Sequence, residues 1–254
     1  MWTLRKQKKI ELDFIPEISN NIAIIIPTTS NKRNYSNIED MDFFKIMYSS
    51  FLKTMNKDKK YNYNFYLGYD DDDTFYINNR EKIIEHFKKL NSENSIELHS
   101  VTGMKSKVGQ IWSFLADIAK EKNHFLYQLG DDIELITSGW EDVFIDTLKK
   151  RNYIGVTGPK DLTNPRILTQ SFVHKIHLEI FKSYYPEKIY NWYIDDWITF
   201  VYGKRAMRFS NMQVINRGGE ERYKTASKPK TASKELKEGK IILKKYLTKH
   251  RKLE

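Results

Sequence analysis

The chain contains no cysteine. That excludes disulfides, thiol nucleophiles and thiolate-bound zinc, and it leaves the compartment open. Long apolar runs are missing too. The longest near the start, Ile22-Ala23-Ile24-Ile25-Ile26, is far shorter than the roughly 20 residues that cross a bilayer. The basic segment 2–9 is not followed by the apolar stretch of a signal peptide. The expectation is therefore a soluble protein of the cytoplasm, not secreted through a signal peptide. Neither Gly-x-Gly-x-x-Gly nor a P-loop lysine motif occurs, which disfavours a Rossmann dehydrogenase or a P-loop NTPase.

What is present supports a substantial core. Of 254 residues, 40% are hydrophobic and 14% aromatic, enough for one large domain or two small ones and too apolar for general disorder. The net charge of +10 is unevenly placed. Residues 222–254 hold twelve Lys/Arg and three Glu, which leaves the body almost neutral. Such a block reads as a solvated extension, or as an arm for an anionic partner. It has no interleaved aromatics to stack on bases, so no nucleic-acid partner is expected. A weak membrane or other anionic contact through this tail is the further contact its composition allows.

Strands alternate with helices over the first 150 or so residues. The run 22–26 reads as a central parallel strand, 63–69 as a second, 96–101 as a third, 125–129 as a fourth and 154–157 as a fifth. Helical spacing appears over 42–53, 81–90, 108–120 and 140–149. This pattern predicts an α/β layered fold with a mostly parallel sheet. Three of these strands end in polar residues: Thr28-Thr29-Ser30, Asp70 to Asp73, and Asp131-Asp132. In such a sheet these ends share one edge, where ligands bind.

The last of these ends is the most informative. An apolar strand closes in Gly130-Asp131-Asp132-Ile133-Glu134. Carboxylates at such a place are costly unless solvated or paired. Two or three of them can share a hard divalent cation, which can also hold a diphosphate. The plainer alternative is a solvated turn. Further on, Asn191-Trp192-Tyr193-Ile194-Asp195-Asp196-Trp197 sets carboxylates among aromatics, which suits a sugar that stacks on rings and gives up a hydroxyl proton. The alternative is an aromatic core in which Asp195 caps a helix starting near Asp196. His174 and His177 would share one face if 172–181 were helical, but with no third ligand nearby they read as core or surface histidines. The segment 217–223 reads as a mobile loop, and the repeat Lys-Thr-Ala-Ser-Lys at 224–228 and 230–234 as a flexible link before a helix over 234–249.

Together these pieces resemble nucleotide-sugar glycosyltransferases of the GT-A fold, over roughly residues 20–223. Ile26-Pro27-Thr28-Thr29 resembles the first strand and nucleoside loop of that family. Gly130-Asp131-Asp132-Ile133-Glu134 resembles its Asp-x-Asp metal motif, and Tyr193-Ile194-Asp195-Asp196-Trp197 the segment that carries the base of some inverting members. With Gly155-Val156-Thr157-Gly158-Pro159, these motifs are also similar to glycosyltransferase domains of large DNA viruses. The resemblance implies a GT-A-like α/β/α layered fold with a central mostly parallel (mixed) sheet. It implies a catalytic domain over 1–223, with a nucleotide half (20–157) and an acceptor half (158–223), followed by a basic tail (224–254). A UDP-sugar would be the donor, a hydroxyl of a glycan or glycoprotein the acceptor, and Mn2+ or Mg2+ the cofactor. Asp132 would hold the metal, with Glu134 as its pair or with Asp131 nearby on the ribose. Gly130 departs from the usual motif, which has an acid there. Pro27, Thr28, Thr29, Asp70 and Lys105 (or Lys107) would contact the donor, Asp70 accepting from the uracil ring. Asp71 to Asp73 would be solvated turn residues. Asp195, or Asp196, would deprotonate the acceptor, with inversion at the anomeric carbon.

Two rivals remain. Separated carboxylates and a basic tail also suit a two-metal nuclease or strand-transfer enzyme on DNA, although a body so nearly neutral lacks the basic groove it would need. A non-catalytic carbohydrate-binding virion protein would keep the aromatics without needing Asp132 and Asp195 together.

Overall fold

The computed structural model describes residues 19–218, 223 and 228–250. The segments 2–9, 219–222 and 224–227, which enter the sequence reading, lie outside them. Eight strands form one sheet in the order β3-β2-β1-β4-β7-β6-β8-β5. In chain order these are β1 (Asn21–Pro27), β2 (Asn62–Asp70), β3 (Ser95–Val101), β4 (Phe125–Gln128), β5 (Ile133–Leu135), β6 (Val156–Asp161), β7 (Ser171–His174) and β8 (Ala206–Asn216). β3, β2, β1 and β4 are mutually parallel. β7 enters antiparallel to β4 and to β6, β6 and β8 are parallel, and β5 closes the edge antiparallel to β8. The expected mostly parallel, mixed sheet is thus observed.

Among the described residues the α-helices are α1 (Ser49–Thr54), α2 (Thr74–Leu90), α3 (Val108–Ala119), α4 (Trp140–Lys149), α5 (Ile176–Phe181), α6 (Ile194–Val201) and α7 (Pro229–Lys249). A π-helical stretch, Phe43–Tyr48, runs directly into α1. Side chains alternate across β2 and sort the layers. Phe65 packs in a ring cluster with Phe43, Tyr48, Phe51 and Phe87, so the π-helix, α1 and α2 cover one face. Gly68 opens the other face to α3: a Cβ there would lie 2.7 Å from Ile111 Cγ2. Trp112 Nε1 donates to the Ile25 and Leu129 carbonyls at 3.2 Å each, which fixes α3 across β1 and β4.

Four expectations need correction. The helix expected over 81–90 begins at Thr74, because Asp73 caps it by accepting from the Tyr76 amide at 3.3 Å. The stretch 172–181 is not one helix: His174 ends β7 and His177 lies on α5, so they share no helical face. The C-terminal helix starts at Pro229 and contains the second copy of the Lys-Thr-Ala-Ser-Lys repeat, so that copy is not a flexible link. Asp195 does not cap α6. Tyr193 occupies the N-cap position with a left-handed φ of 74° and no side-chain capping bond, and Asp195 and Asp196 stand in the first helical turn.

α7 packs on the body. Trp197 Nε1 donates to the Glu235 carbonyl at 3.2 Å, Leu243 is buried, and a Cβ at Gly239 would sit 2.8 Å from Val201 Cγ2. Among the described residues no helix is long and apolar enough to cross a membrane.

Candidate functional site

A cleft of about 280 Å³ opens at the carboxyl edge of the parallel strands. Pro27, Thr28 and Thr29 line it from the end of β1, Asp70 from the end of β2 and Asp132 from beyond β4. Ser106, Lys107, Val108 and Ile111 contribute from the start of α3, Asn191 and Trp192 from the approach to α6, and Tyr223 from beyond β8.

The floor is a set of cross-links between strand ends. The Thr28 amide donates to the Gly68 carbonyl at 2.8 Å, and Thr28 Oγ1 donates to Asp131 Oδ2 at 2.8 Å. Asp73 holds the next residues, accepting from Thr29 Oγ1 (3.2 Å), the Ser30 amide (2.7 Å) and Ser30 Oγ (2.7 Å). Asp73 is buried and structural, which corrects its reading as a solvated turn residue; Asp71 and Asp72 are exposed. Lys105 pairs with Asp72 at 2.5 Å and does not line the cleft, whereas Lys107 does.

Two carboxylates face the cleft. Asp70 Oδ2 accepts from the Tyr223 hydroxyl, while Asp70 Oδ1 is buried with no hydrogen-bond partner among the described residues. A buried acceptor left in this way favours a donor brought by a ligand. Burial pushes the Asp70 pKa up, and the Tyr223 bond opposes it. Asp132 Oδ2 lies 3.4 Å from Arg33 Nη2, which also pairs with Asp42 at 2.9 Å. Burial raises the Asp132 pKa, and Arg33 pulls it back. Asp131 is buried beneath the loop, and burial, then Asp132, push its pKa well up. Asp131 therefore braces Thr28.

Two glycines make room for the Asp132 carboxylate. A Cβ at Gly130 would stand 2.9 Å from Asp132 Oδ1, and one at Gly218 would stand 2.2 Å from Oδ2. This gives the departure at Gly130 a physical reason: a side chain there would crowd Asp132. Glu134 is held by Arg217 Nε at 2.6 Å and is not among the lining residues.

Asp195 and Asp196 do not line the cleft, although Asn191 and Trp192, just before them, do. Burial, then Asp196, then Asp161 raise the Asp195 pKa well above the usual carboxyl range. Asp161, at the end of β6, is buried and accepts from the Thr163 amide (2.8 Å), Thr163 Oγ1 (2.7 Å) and Thr169 Oγ1 (2.8 Å). Its charge acts on both Asp132 and Asp195, so it stands within electrostatic reach of both. Sequence reasoning missed Asp161 and Arg33, each a lone charge outside any motif. The only signal for Asp161 was its place just after the strand expected at 154–157.

His177 is a core residue. Its Nε2–H donates to the Tyr184 carbonyl at 2.8 Å and its Nδ1 accepts from the Tyr202 hydroxyl at 3.0 Å. Burial lowers its pKa to about 4, so the ring is neutral.

No protein-family model matches the chain, and no curated protein matches its sequence. Solved structures do. One is the mannosyltransferase PcManGT from Pyrobaculum calidifontis, in complex with GDP-Man and Mn2+. The likeness has a TM-score of 0.50 at 9% identity and covers 85% of this chain and 62% of that one, so the chain spans less than two thirds of the length of that protein. The architecture is thus a GT-A-like glycosyltransferase fold, and the cleft occupies its strand-end edge.

Proposed function

We propose that this protein is a metal-dependent glycosyltransferase that moves a sugar from a UDP-sugar to a hydroxyl of a glycan or glycoprotein, with inversion. The observation that carries the proposal is the convergence of Asp70 and Asp132 on one cleft at the strand-end edge of a GT-A-like sheet. The GDP-Man and Mn2+ of the structural neighbour support the class of donor and cofactor. The similarity to viral transferase domains belongs to the same proposal.

The residues present fit a hard cation shared with a ligand. No group of three His, Cys, Asp or Glu that could hold a metal by itself occurs among the described residues. Asp132 offers carboxylate oxygens in a space that Gly130 and Gly218 leave clear. Mg2+ and Mn2+ suit such a site, one or two carboxylates completed by phosphates. Asp132 would hold the ion, which when bound neutralises charge on the departing diphosphate.

The chain's own groups do the rest. Asp70 Oδ1 accepts an N–H from the base edge. Thr28 and Thr29, fixed by Asp131 and Asp73, shape the nucleoside floor, and Lys107 adds positive charge to the cleft. Trp192, 56% exposed, offers a ring face for a sugar. Asp195 takes the acceptor proton as the hydroxyl attacks the anomeric carbon from the side opposite the diphosphate, and its raised pKa makes it a stronger base.

The test is calorimetry with UDP, GDP, CMP and a short DNA duplex, each with and without Mn2+, on wild type and Asp132→Ala. UDP binding that requires Mn2+ and is lost in Asp132→Ala supports the reading. Preference for GDP would keep the class and change the donor. Duplex binding without nucleotide binding would overturn it.

A further inference from the structure

The C-terminal helix has an outer face that the cleft does not use. α7 carries seven lysines against two glutamates, and all seven lysines are exposed. Its inner side is settled by Gly239 against Trp197 and Val201 and by buried Leu243. At about 100° per residue, six of the seven lysines fall on the half of the helix opposite Gly239, and Lys249 stands just past its border. Ile241 falls near the middle of that half and is 55% exposed; Ile242, 42% exposed, lies on the flank of the inner half. Glu235 lies on the inner half and pairs with Lys188 at 3.3 Å; Glu238 stands at the edge of the lysine half and pairs with Lys234 at 3.9 Å, so the face keeps a strong positive excess.

We infer that α7 is a docking surface for an anionic bilayer. A helix of 21 residues, about 30 Å long, lays a flat row of ammonium groups on the molecule's surface. Lysines attract acidic headgroups, and an isoleucine at the centre of the row gains by entering the interface. A nucleic-acid phosphate backbone offers Ile241 no such gain. The face also lacks the arginines and aromatics that read or stack on bases. Because α7 clamps α6 through Trp197, docking would hold the segment bearing Asp195 beside the lipid surface. The docking inference stands apart from the transferase reading.

The test is co-sedimentation of the full chain with phosphatidylcholine vesicles, with and without about one third phosphatidylserine, over a salt series. Wild type should bind the acidic vesicles only. The triple variant Lys237→Gln, Lys240→Gln, Lys244→Gln should bind on the order of 100-fold more weakly, at about fivefold per lysine. Ile241→Ser should remove the fraction that resists high salt. These positions are exposed, so melting temperature and nucleotide binding should stay as in wild type. Equal binding to neutral and acidic vesicles would overturn the inference. So would indifference to both variants, or a stronger, steeply salt-dependent affinity for duplex DNA or RNA that ignores Ile241→Ser.

Discussion

Replacing Gly218 with alanine separates the site from the scaffold. Gly218 is not in the left-handed region, so alanine meets no backbone penalty there. Its Cβ would stand 2.2 Å from Asp132 Oδ2, more than 1 Å inside the roughly 3.5 Å of ordinary contact, and 3.0 Å from Asp132 Cγ. The carboxylate is the yielding partner, so it swings away and the fold is little affected. A displacement near 1 Å at a reacting centre costs about 100-fold in rate, or about 2.7 kcal/mol of transition-state stabilisation. Gly139→Ala is the control. Nothing lies within 4 Å of its Cβ, but its φ is +79°. It should lose about 1–2 kcal/mol of stability, a few degrees of melting temperature, and no activity. The assay is nucleoside diphosphate release from a UDP-sugar with Mn2+, beside a thermal melt. Wild-type turnover in Gly218→Ala would refute the idea that the position of Asp132 governs the chemistry.

Three more outcomes are expected. If Asp195 is the base, turnover should climb with pH through its raised pKa. Asp196→Asn should move that acid limb to lower pH, and Asp161→Asn should do so by less; a limb fixed in both variants rules Asp195 out. His177 is held near 4 in the fold and near 6.5 in the unfolded chain. The unfolded chain therefore binds the extra proton between those values, and this residue's contribution falls as pH drops from 6.5 to 4. The gap in urea midpoint between wild type and His177→Phe should narrow over that window, and a constant gap would refute the neutral, buried ring. Gly239→Ala should lower the melting temperature by a few degrees, because a Cβ 2.8 Å from Val201 and 3.2 Å from Trp197 outweighs the roughly 1 kcal/mol alanine gains in a helix; a rise would show that α7 is loosely seated.

The centre of the parallel half, β1, β2 and β4, was legible because these strands are largely buried on both faces. Ile22 to Ile26, Tyr63 to Tyr69 and Phe125 to Leu129 read as strands, and their polar ends put Thr28, Asp70 and Asp132 forward as candidates. The other half was less legible. Only Met212 and Val214 of β8 are buried, so Ala206 to Asn216 shows no apolar run. β7 has only four residues and runs straight into α5, so one apolar stretch hid two elements. The acids of 70–73 look alike in sequence. Only the fold separates Asp73, which ties a helix to a loop, from Asp72, which meets Lys105 in solvent. Asp161 was invisible because its meaning lies in the threonines that surround it and in its reach to two distant carboxylates.

The reversal at β7 has a practical side. Two antiparallel steps, β4 to β7 and β7 to β6, cancel, so β6 and β8 point the same way as β1 to β4. Six strands therefore point their carboxyl ends to the edge of the sheet that carries the cleft, and the turns leading into them gather at the opposite rim. Asp58 and Lys59, exposed in the turn before β2, lie on that rim. A fluorophore, an affinity handle or a surface tether placed there would report on the working protein from the side that does no chemistry, and leave both the cleft and α7 free.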